Sequence, residues 1–298
     1  MSSQVDAAIA TTSGAGAAAV RRTRTVPAKL ARSWLLVPAT KPEVFSDADR
    51  SAADGIILDI EDAVDPSRKP DARRAVVDWL SSGGEAWVRV NDATTEFWAD
   101  DLAALRDAPG LQGVMLAKTE SPQQVEESYR KLGENVPVIA LVESAIGIES
   151  ATDIARAEGA FRLAFGSGDF RRDTGMSADK EAMAYPRARL VVASRCGNLP
   201  GPIDGPTVGS SHPVLREQSG TTVSMGMTGK LCLDVEQVPV INEVISPTPT
   251  DVGWANGFLA DFEARGGVIR DGSDLPRLGR ARKIAELAEA FNVSAPSA

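Results

Sequence analysis

The feature that most constrains this chain is an alternation. Short apolar runs recur at 34–37, 55–62, 86–91, 113–118, 137–142, 162–165, 201–207 and 230–234, and most end on a charged residue. Stretches with helical spacing lie between or after them at 42–53, 69–80, 97–105, 122–132, 146–157, 179–196 and 236–245. In 69–80, for example, Ala72, Ala75, Val76, Trp79 and Leu80 form one stripe. Near-continuous apolar strands joined by helices imply a parallel sheet covered on both faces. Eight such runs within residues 31–246 fit a (β/α)8 TIM barrel. An open doubly wound sheet would normally carry a Gly-rich phosphate turn after its first strand, and this chain has VPATKPE there. The stretch 208–227 suggests no regular element, and its GSSHPV segment reads as a loop.

The flanks differ from this core. Residues 1–30 are rich in Ala, Ser, Thr and Gly and read as a disordered tail, although an organellar transit peptide has a similar composition. Residues 247–298 form a C-terminal helical extension: a helix at 250–265, a short strand and turn at 266–276, and a helix at 277–291. The net charge of −9 argues against a nucleic-acid partner held by phosphate neutralisation. No apolar run has membrane-spanning length, so the expectation is a soluble, cytoplasmic protein without a membrane partner. Cys196 and Cys232 are far apart and are expected to be buried free thiols. The one histidine, His212, lies in the loop-like segment, so the chemistry falls to carboxylates, arginine and metal.

In a barrel of this kind, catalytic groups sit where strands end. Those ends carry Asp59, Glu61 and Asp62; Arg89 and Asn91; Lys118; Glu143; Asp169; Asp204; and Asp234. Glu143 and Asp169 close consecutive strands. Two carboxylates brought together at one face repel unless a cation joins them, and an oxygen pair suits Mg2+; the other reading is two solvated strand-ending acids. Arg89 alternates with Val88 and Val90, so with the valines toward the helices it faces the barrel mouth. There its planar fork fits a carboxylate or an enolate oxygen, unless it is a structural ion pair with Asp59 or Glu61. Glu61 and Asp62, with Asp59, are placed to orient Arg89 or a metal-bound water, and Lys118 to neutralise the cluster. Gly166 and Gly168 flank Ser167, so backbone N–H groups there can reach a substrate oxygen.

RSWLLVPAT (32–40), ILDIEDAV (57–64), WVRVN (87–91), MLAKTES (115–121), ALVESAIGI (140–148), FGSGDF (165–170), DGPT (204–207), GKLC (229–232) and the run 237–242 occur in one order. On these the chain resembles the citrate lyase β-subunit family, within the HpcH/HpaI aldolase/citrate lyase group, over about residues 32–291. The resemblance implies a (β/α)8 barrel, a homo-oligomer (trimer or hexamer), Mg2+ on Glu143 and Asp169, and substrate on Arg89, Gly168 and the metal. It also implies that Asp274, in GSDLP, is an acid/base closing over the site, often from a neighbouring subunit; the other reading of Asp274 is the N-cap of the last helix. The implied reaction is magnesium-dependent cleavage, or formation, of a 3-hydroxyacyl-CoA such as citramalyl-CoA or malyl-CoA, giving acetyl-CoA and a 2-keto acid. The alternatives are a citrate lyase β subunit acting on an acyl-carrier-protein thioester, and a non-catalytic thioester- or keto-acid-binding homologue. An aldolase on free pyruvate-derived substrates is a third. The chain departs from the family at Leu233-Asp234-Val235, where Ile-His-Pro is usual, and at Ala117, where proline usually precedes the lysine.

Overall fold

The computed structural model describes residues 25–209 and 211–296. Each of the eight apolar runs overlaps a strand: β1 (Ser33–Pro38), β2 (Gly55–Asp59), β3 (Ala86–Val90), β4 (Leu111–Leu116), β5 (Val138–Val142), β6 (Ala160–Phe165), β7 (Ile203–Asp204) and β8 (Gly229–Cys232). All neighbours are parallel, their order is the chain order, and β1 pairs with β8 to close the barrel. Between them run α1 (Phe45–Arg50), α2 (Lys69–Ser81), α3 (Phe97–Leu105), α4 (Pro122–Lys131), α5 (Ala145–Arg156), α6 (Ser167–Thr174), α7 (Ala184–Cys196) and α8 (His212–Ser224). After β8 come α9 (Val238–Ile245), α10 (Pro249–Ala264) and α11 (Asp274–Phe291). This is the (β/α)8 barrel with C-terminal helices that the alternation predicts.

The two-residue period of each strand sorts its side chains. Trp34, Ile57, Trp87, Met115, Ile139, Leu141, Ala164, Ile203 and Leu231 fill the barrel interior. Ile56, Leu58, Val88, Val90, Val114, Leu116, Val138, Ala140, Leu163 and Phe165 pack outward under the helices. With Val88 and Val90 outward, Arg89 shares the inward face with Trp87. The end where the strands start is closed by Arg162, fully buried. Its guanidinium donates to the carbonyls of Gly201 (2.6 Å) and Ala31 (2.9 Å) and to Thr228 Oγ1 (2.8 Å). That leaves the opposite, C-terminal end of the strands open for chemistry.

Several local expectations need correction. The first residues of the expected tail lie outside the described residues, but Ala28–Leu30 form a 3-10 turn folded against the barrel. Within the stretch at 208–227, residues 212–224 are helical, and His212 is the first residue of α8 rather than a loop residue. Its apolar period is invisible because its buried face is Leu215, Ser219 and Thr222. That face meets a buried polar layer: Thr222 Oγ1 donates to Asp204 at 2.6 Å, and Arg187 Nε donates to the same carboxylate at 2.9 Å. Asp204, fully buried there, is therefore withdrawn from the ring of strand-end acids. The seventh strand is two residues long. The segment 266–276 contains no strand, and α11 starts at Asp274. Cys232 is buried as expected, but Cys196 is exposed. Among the described residues, no helix is long and apolar enough to cross a membrane.

Candidate active site

The parallel register sets Asp59 of β2 directly beside Arg89 of β3. Both side chains point inward, so the pair forms at the open end of the barrel. Arg89 donates through Nε to Asp59 Oδ1 (2.8 Å) and through Nη2 to Oδ2 (2.6 Å), the two-pronged arrangement a planar guanidinium favours. Its Nη1 lies 3.3 Å from Glu61 Oε2. Burial works against the charge of Arg89, but Asp59, Glu61 and Glu143 together outweigh it and hold the group firmly protonated. Lys118 completes the cluster, with Nζ 2.8 Å from Glu61 Oε1 and 3.5 Å from Asp62 Oδ1. Burial pushes the Glu61 carboxyl upward, against Arg89 and Lys118.

The backbone of Lys118 has φ = 48°, a conformation uncommon outside glycine. It serves a contact: the Lys118 N–H donates to Glu143 Oε1 at 2.9 Å. Glu143 sits one residue past β5 and is 5% exposed. Across from it, β6 ends at Phe165, and Gly166 lets the carboxylate of Glu143 fill the space a side chain would take. A Cβ on Gly166 would lie 2.1 Å from Glu143 Oε2. Asp169 is not at the strand end, as expected, but in the first turn of α6. Its Oδ2 is buried and has no hydrogen-bond partner among the described residues, while its Oδ1 is 3.3 Å from Arg172 Nη1. Burial raises the Glu143 carboxyl to about 8; Lys118 N–H and Arg89 oppose that, and the charge of Asp169 adds to it. A buried carboxyl beside a half-buried one with a buried, unsatisfied oxygen is a pair that could hold a hard cation. Among the described residues no group of three or more His, Cys, Asp or Glu is placed to hold a metal ion, so a cation here would be held by two carboxylates. The first-turn N–H groups of α6 are free of helix partners, and nothing lies within 4 Å of the space over Gly168.

The structure thus brings together Asp59, Glu61, Asp62, Arg89, Lys118, Glu143, Asp169 and Gly168. It does not join Asp274 to them within one chain. Asp274 is buried in the α10–α11 hairpin, where its Oδ2 accepts from Arg265 Nη1 (2.6 Å) and the Arg270 N–H (2.8 Å). Arg265, then the Arg270 N–H, hold its carboxyl at about 2. The cap of α11 is Ser273 rather than Asp274. At its far end α11 returns to where the strands start, with Phe291 4.0 Å under the Arg32 guanidinium. Asp234 caps the turn after β8 by accepting from the Glu236 N–H, and with Gly209, His212, Leu233, Glu236 and Gln237 it lines a cavity of about 330 Å3.

Sequence reasoning missed Lys69. It is buried, and its Nζ donates to Ile60 O (3.1 Å), Glu61 O (2.8 Å) and Asn91 Oδ1 (2.6 Å). Asn91 Nδ2 in turn reaches Asp101 Oδ2 at 2.6 Å. These bonds fix the turn that carries Glu61 and Asp62. The available signal was a lysine at the first position of a helix, the positive end of its dipole, where it needs a specific partner. Lys69→Met leaves two carbonyls and the Asn91 oxygen short of donors, and is expected to lower unfolding stability by about 2–3 kcal/mol, read from the urea midpoint.

Residues 32–234 match the family model described as HpcH/HpaI aldolase/citrate lyase, and residues 250–292 match the HpcH/HpaI aldolase C-terminal domain. An L-malyl-CoA/beta-methylmalyl-CoA lyase of Rhodobacter capsulatus is 28% identical over 275 residues, covering 80% of this chain and 86% of that one. The mitochondrial citramalyl-CoA lyase of Homo sapiens is 29% identical over 290 residues, covering 86% and 85%. Among solved structures, protein CitE of Mycobacterium tuberculosis in complex with magnesium, acetoacetate and coenzyme A superposes with a TM-score of 0.73 at 29% identity, covering 88% of this chain and 99% of that one.

Proposed function

The chain belongs to the HpcH/HpaI aldolase/citrate lyase family and is a carbon–carbon lyase, and from that premise we propose that it cleaves, or forms, a 3-hydroxyacyl-CoA such as malyl-CoA or citramalyl-CoA, releasing acetyl-CoA and a 2-keto acid, with Mg2+ held by Glu143 and Asp169. The observation that carries this reading is the Glu143–Asp169 pair, one oxygen of which is buried without a partner, at the open end of the barrel beside Arg89. Magnesium usually takes one or two carboxylates and keeps other positions for water or substrate, so these residues fit it. When bound it supplies Lewis-acid polarisation of the hydroxyl and keto oxygens of the substrate.

The chain's own groups do the rest. Arg89, oriented by Asp59, keeps N–H groups on Nη1 and Nη2 for the oxyanion that develops as the carbon–carbon bond breaks. The first-turn N–H groups of α6, with open space over Gly168, provide a second set of donors to a substrate oxygen. Lys118 holds Glu61 and Asp62 away from that charge. Asp274 would take or return the proton at the enolate carbon from a second copy of the chain, since its own hairpin holds it away. The Arg265 clamp keeps its carboxylate deprotonated, the form that serves as base in the condensing direction. In solution the protein is then a homo-oligomer. A second reading, a thioester carried by a protein rather than by CoA, is favoured by Asp234 and Glu236 on the cavity after β8, which would repel phosphates.

The test offers malyl-CoA, citramalyl-CoA and the corresponding acyl-carrier-protein thioesters to the purified chain, with Mg2+ or with EDTA. Keto acid released from a CoA thioester only with Mg2+ supports the reading. Release only from the carrier-bound form favours the second, and none from any substrate rejects both.

Two further results are expected of the metal itself. Glu143 is raised to about 8 in the fold against about 4.5 unfolded, so the metal-free fold binds a proton that the unfolded chain does not, and its stability falls as pH rises from about 4.5 to about 8. Mg2+ must displace that proton below pH 8, so its affinity should weaken by roughly tenfold per pH unit from 8 to 6. Calorimetry at three pH values checks this, and a flat profile would count against Glu143 as ligand. Gly166→Ala drives a methyl into Glu143 Oε2. Its expected outcome is Mg2+ affinity reduced by about tenfold or more with the circular dichroism spectrum retained.

A further inference from the structure

Three cations stand at the open end of the barrel among the described residues that form the site, and they differ in how fully they are engaged. Arg89 is 13% exposed and holds Asp59 by two bonds and Glu61 by a third contact. Lys118 holds Glu61 and Asp62. Arg172 is 72% exposed, and among the described residues its ion pair is with Asp169 alone, at 3.3 Å. Asp169 and Arg172 are one helical turn apart on α6.

That contact is a charge balance at the site. With no divalent ion between Glu143 and Asp169, the guanidinium compensates one carboxylate of a repelling pair. A divalent cation on the unpartnered Oδ2 of the same carboxylate would carry twice the charge and repel the guanidinium on Oδ1. Arg172 must then leave Asp169. It has a long, exposed side chain and stays anchored on α6, four residues after Gly168, over which the space is open. There it lacks an anion, since Asp59, Glu61 and Asp62 are already held by Arg89 and Lys118.

We propose that Arg172 is an internal counter-ion that Mg2+ displaces from Asp169, and that the displaced guanidinium then binds an anionic group of the substrate, a carboxylate or a phosphate. This rests on the metal reading given above. It makes Arg172 a substrate-binding residue that engages only once the metal is in place, so an acyl-CoA or keto acid would bind after Mg2+.

The experiment is calorimetry on the full chain, wild type against Arg172→Gln and Arg172→Lys. MgCl2 is titrated first, then pyruvate and CoA separately at saturating Mg2+. Arg172→Gln should bind Mg2+ roughly two- to fivefold more tightly, because an exposed pair and its repulsion of the metal are removed. It should bind pyruvate, if the anion is the carboxylate, or CoA, if it is phosphate, about five- to tenfold more weakly. Arg172→Lys should fall between. Wild-type protein that binds no Mg2+ overturns the metal reading and this proposal with it. Wild-type binding of Mg2+ with Arg172→Gln unchanged or weaker overturns the counter-ion role alone. Tighter Mg2+ with both pyruvate and CoA unaffected overturns the substrate contact. Since Arg172 is exposed, its thermal midpoint is expected to stay within a few degrees of wild type.

Discussion

Asp169→Asn is expected to lower magnesium-dependent turnover by about 10²- to 10³-fold while leaving the fold intact. The two halves of that expectation have different causes. Among the described residues Asp169 Oδ2 makes no hydrogen bond, and the ion pair of Oδ1 is with the exposed Arg172. Removing the charge therefore breaks no buried pair, and it relieves Glu143 of a neighbour that pushes its carboxyl up. The thermal midpoint of the metal-free protein should be unchanged or slightly raised. On the proposed reading the metal, by contrast, would lose one of its two charged ligands, and an amide oxygen is a poor substitute for a carboxylate toward Mg2+. Glu143→Gln should behave alike in turnover. A variant of either kind that keeps turnover within tenfold of wild type would remove the pair from the mechanism.

Arg89→Lys is expected to cost both stability and rate. Lysine keeps the charge but not the fork. One ammonium cannot reproduce two bonds to Asp59 and a contact to Glu61. Because the acids around it are buried, we expect a loss of about 2–3 kcal/mol in unfolding free energy, less than the 3–5 kcal/mol typical of removing one partner of a buried pair outright. Turnover should fall by about 10²-fold or more from the missing oxyanion donors. Chemical denaturation and steady-state kinetics on the same preparation separate the two. A loss of stability with kcat and KM unchanged would make Arg89 a structural ion pair only.

How much of this was legible in the chain can be judged residue by residue. Arg89 was placed at the mouth from its alternation with Val88 and Val90, and both valines do lie under the helices. Its other reading was an ion pair with Asp59 or Glu61, and the register that sets Asp59 beside it gives the two-pronged bond while Glu61 adds a contact at 3.3 Å. Asp204 has the same sequence signature as Asp59, an acid closing a strand, yet it is buried on the outer face by Arg187 and Thr222. The helix α8 was missed for a related reason. Its buried face is Ser and Thr because it serves that polar layer, so hydrophobic periodicity could not reveal it.

The sequence by itself determined all eight strands, every helix but α6 and α8, their alternation, and which face most strand residues take, because these follow from side-chain size and spacing within a few residues. It also carried the acids and the arginine to one end of the barrel, since every strand of a parallel barrel ends there. Only the tertiary structure decided the charges' partners: Glu143 in the hollow of Gly166, Asp169 in the first turn of α6 with an oxygen left over, Lys69 under the Glu61 turn, and Asp274 locked by Arg265. Those contacts join residues from different turns of the barrel, and their distances depend on register and closure, which no local stretch of sequence encodes.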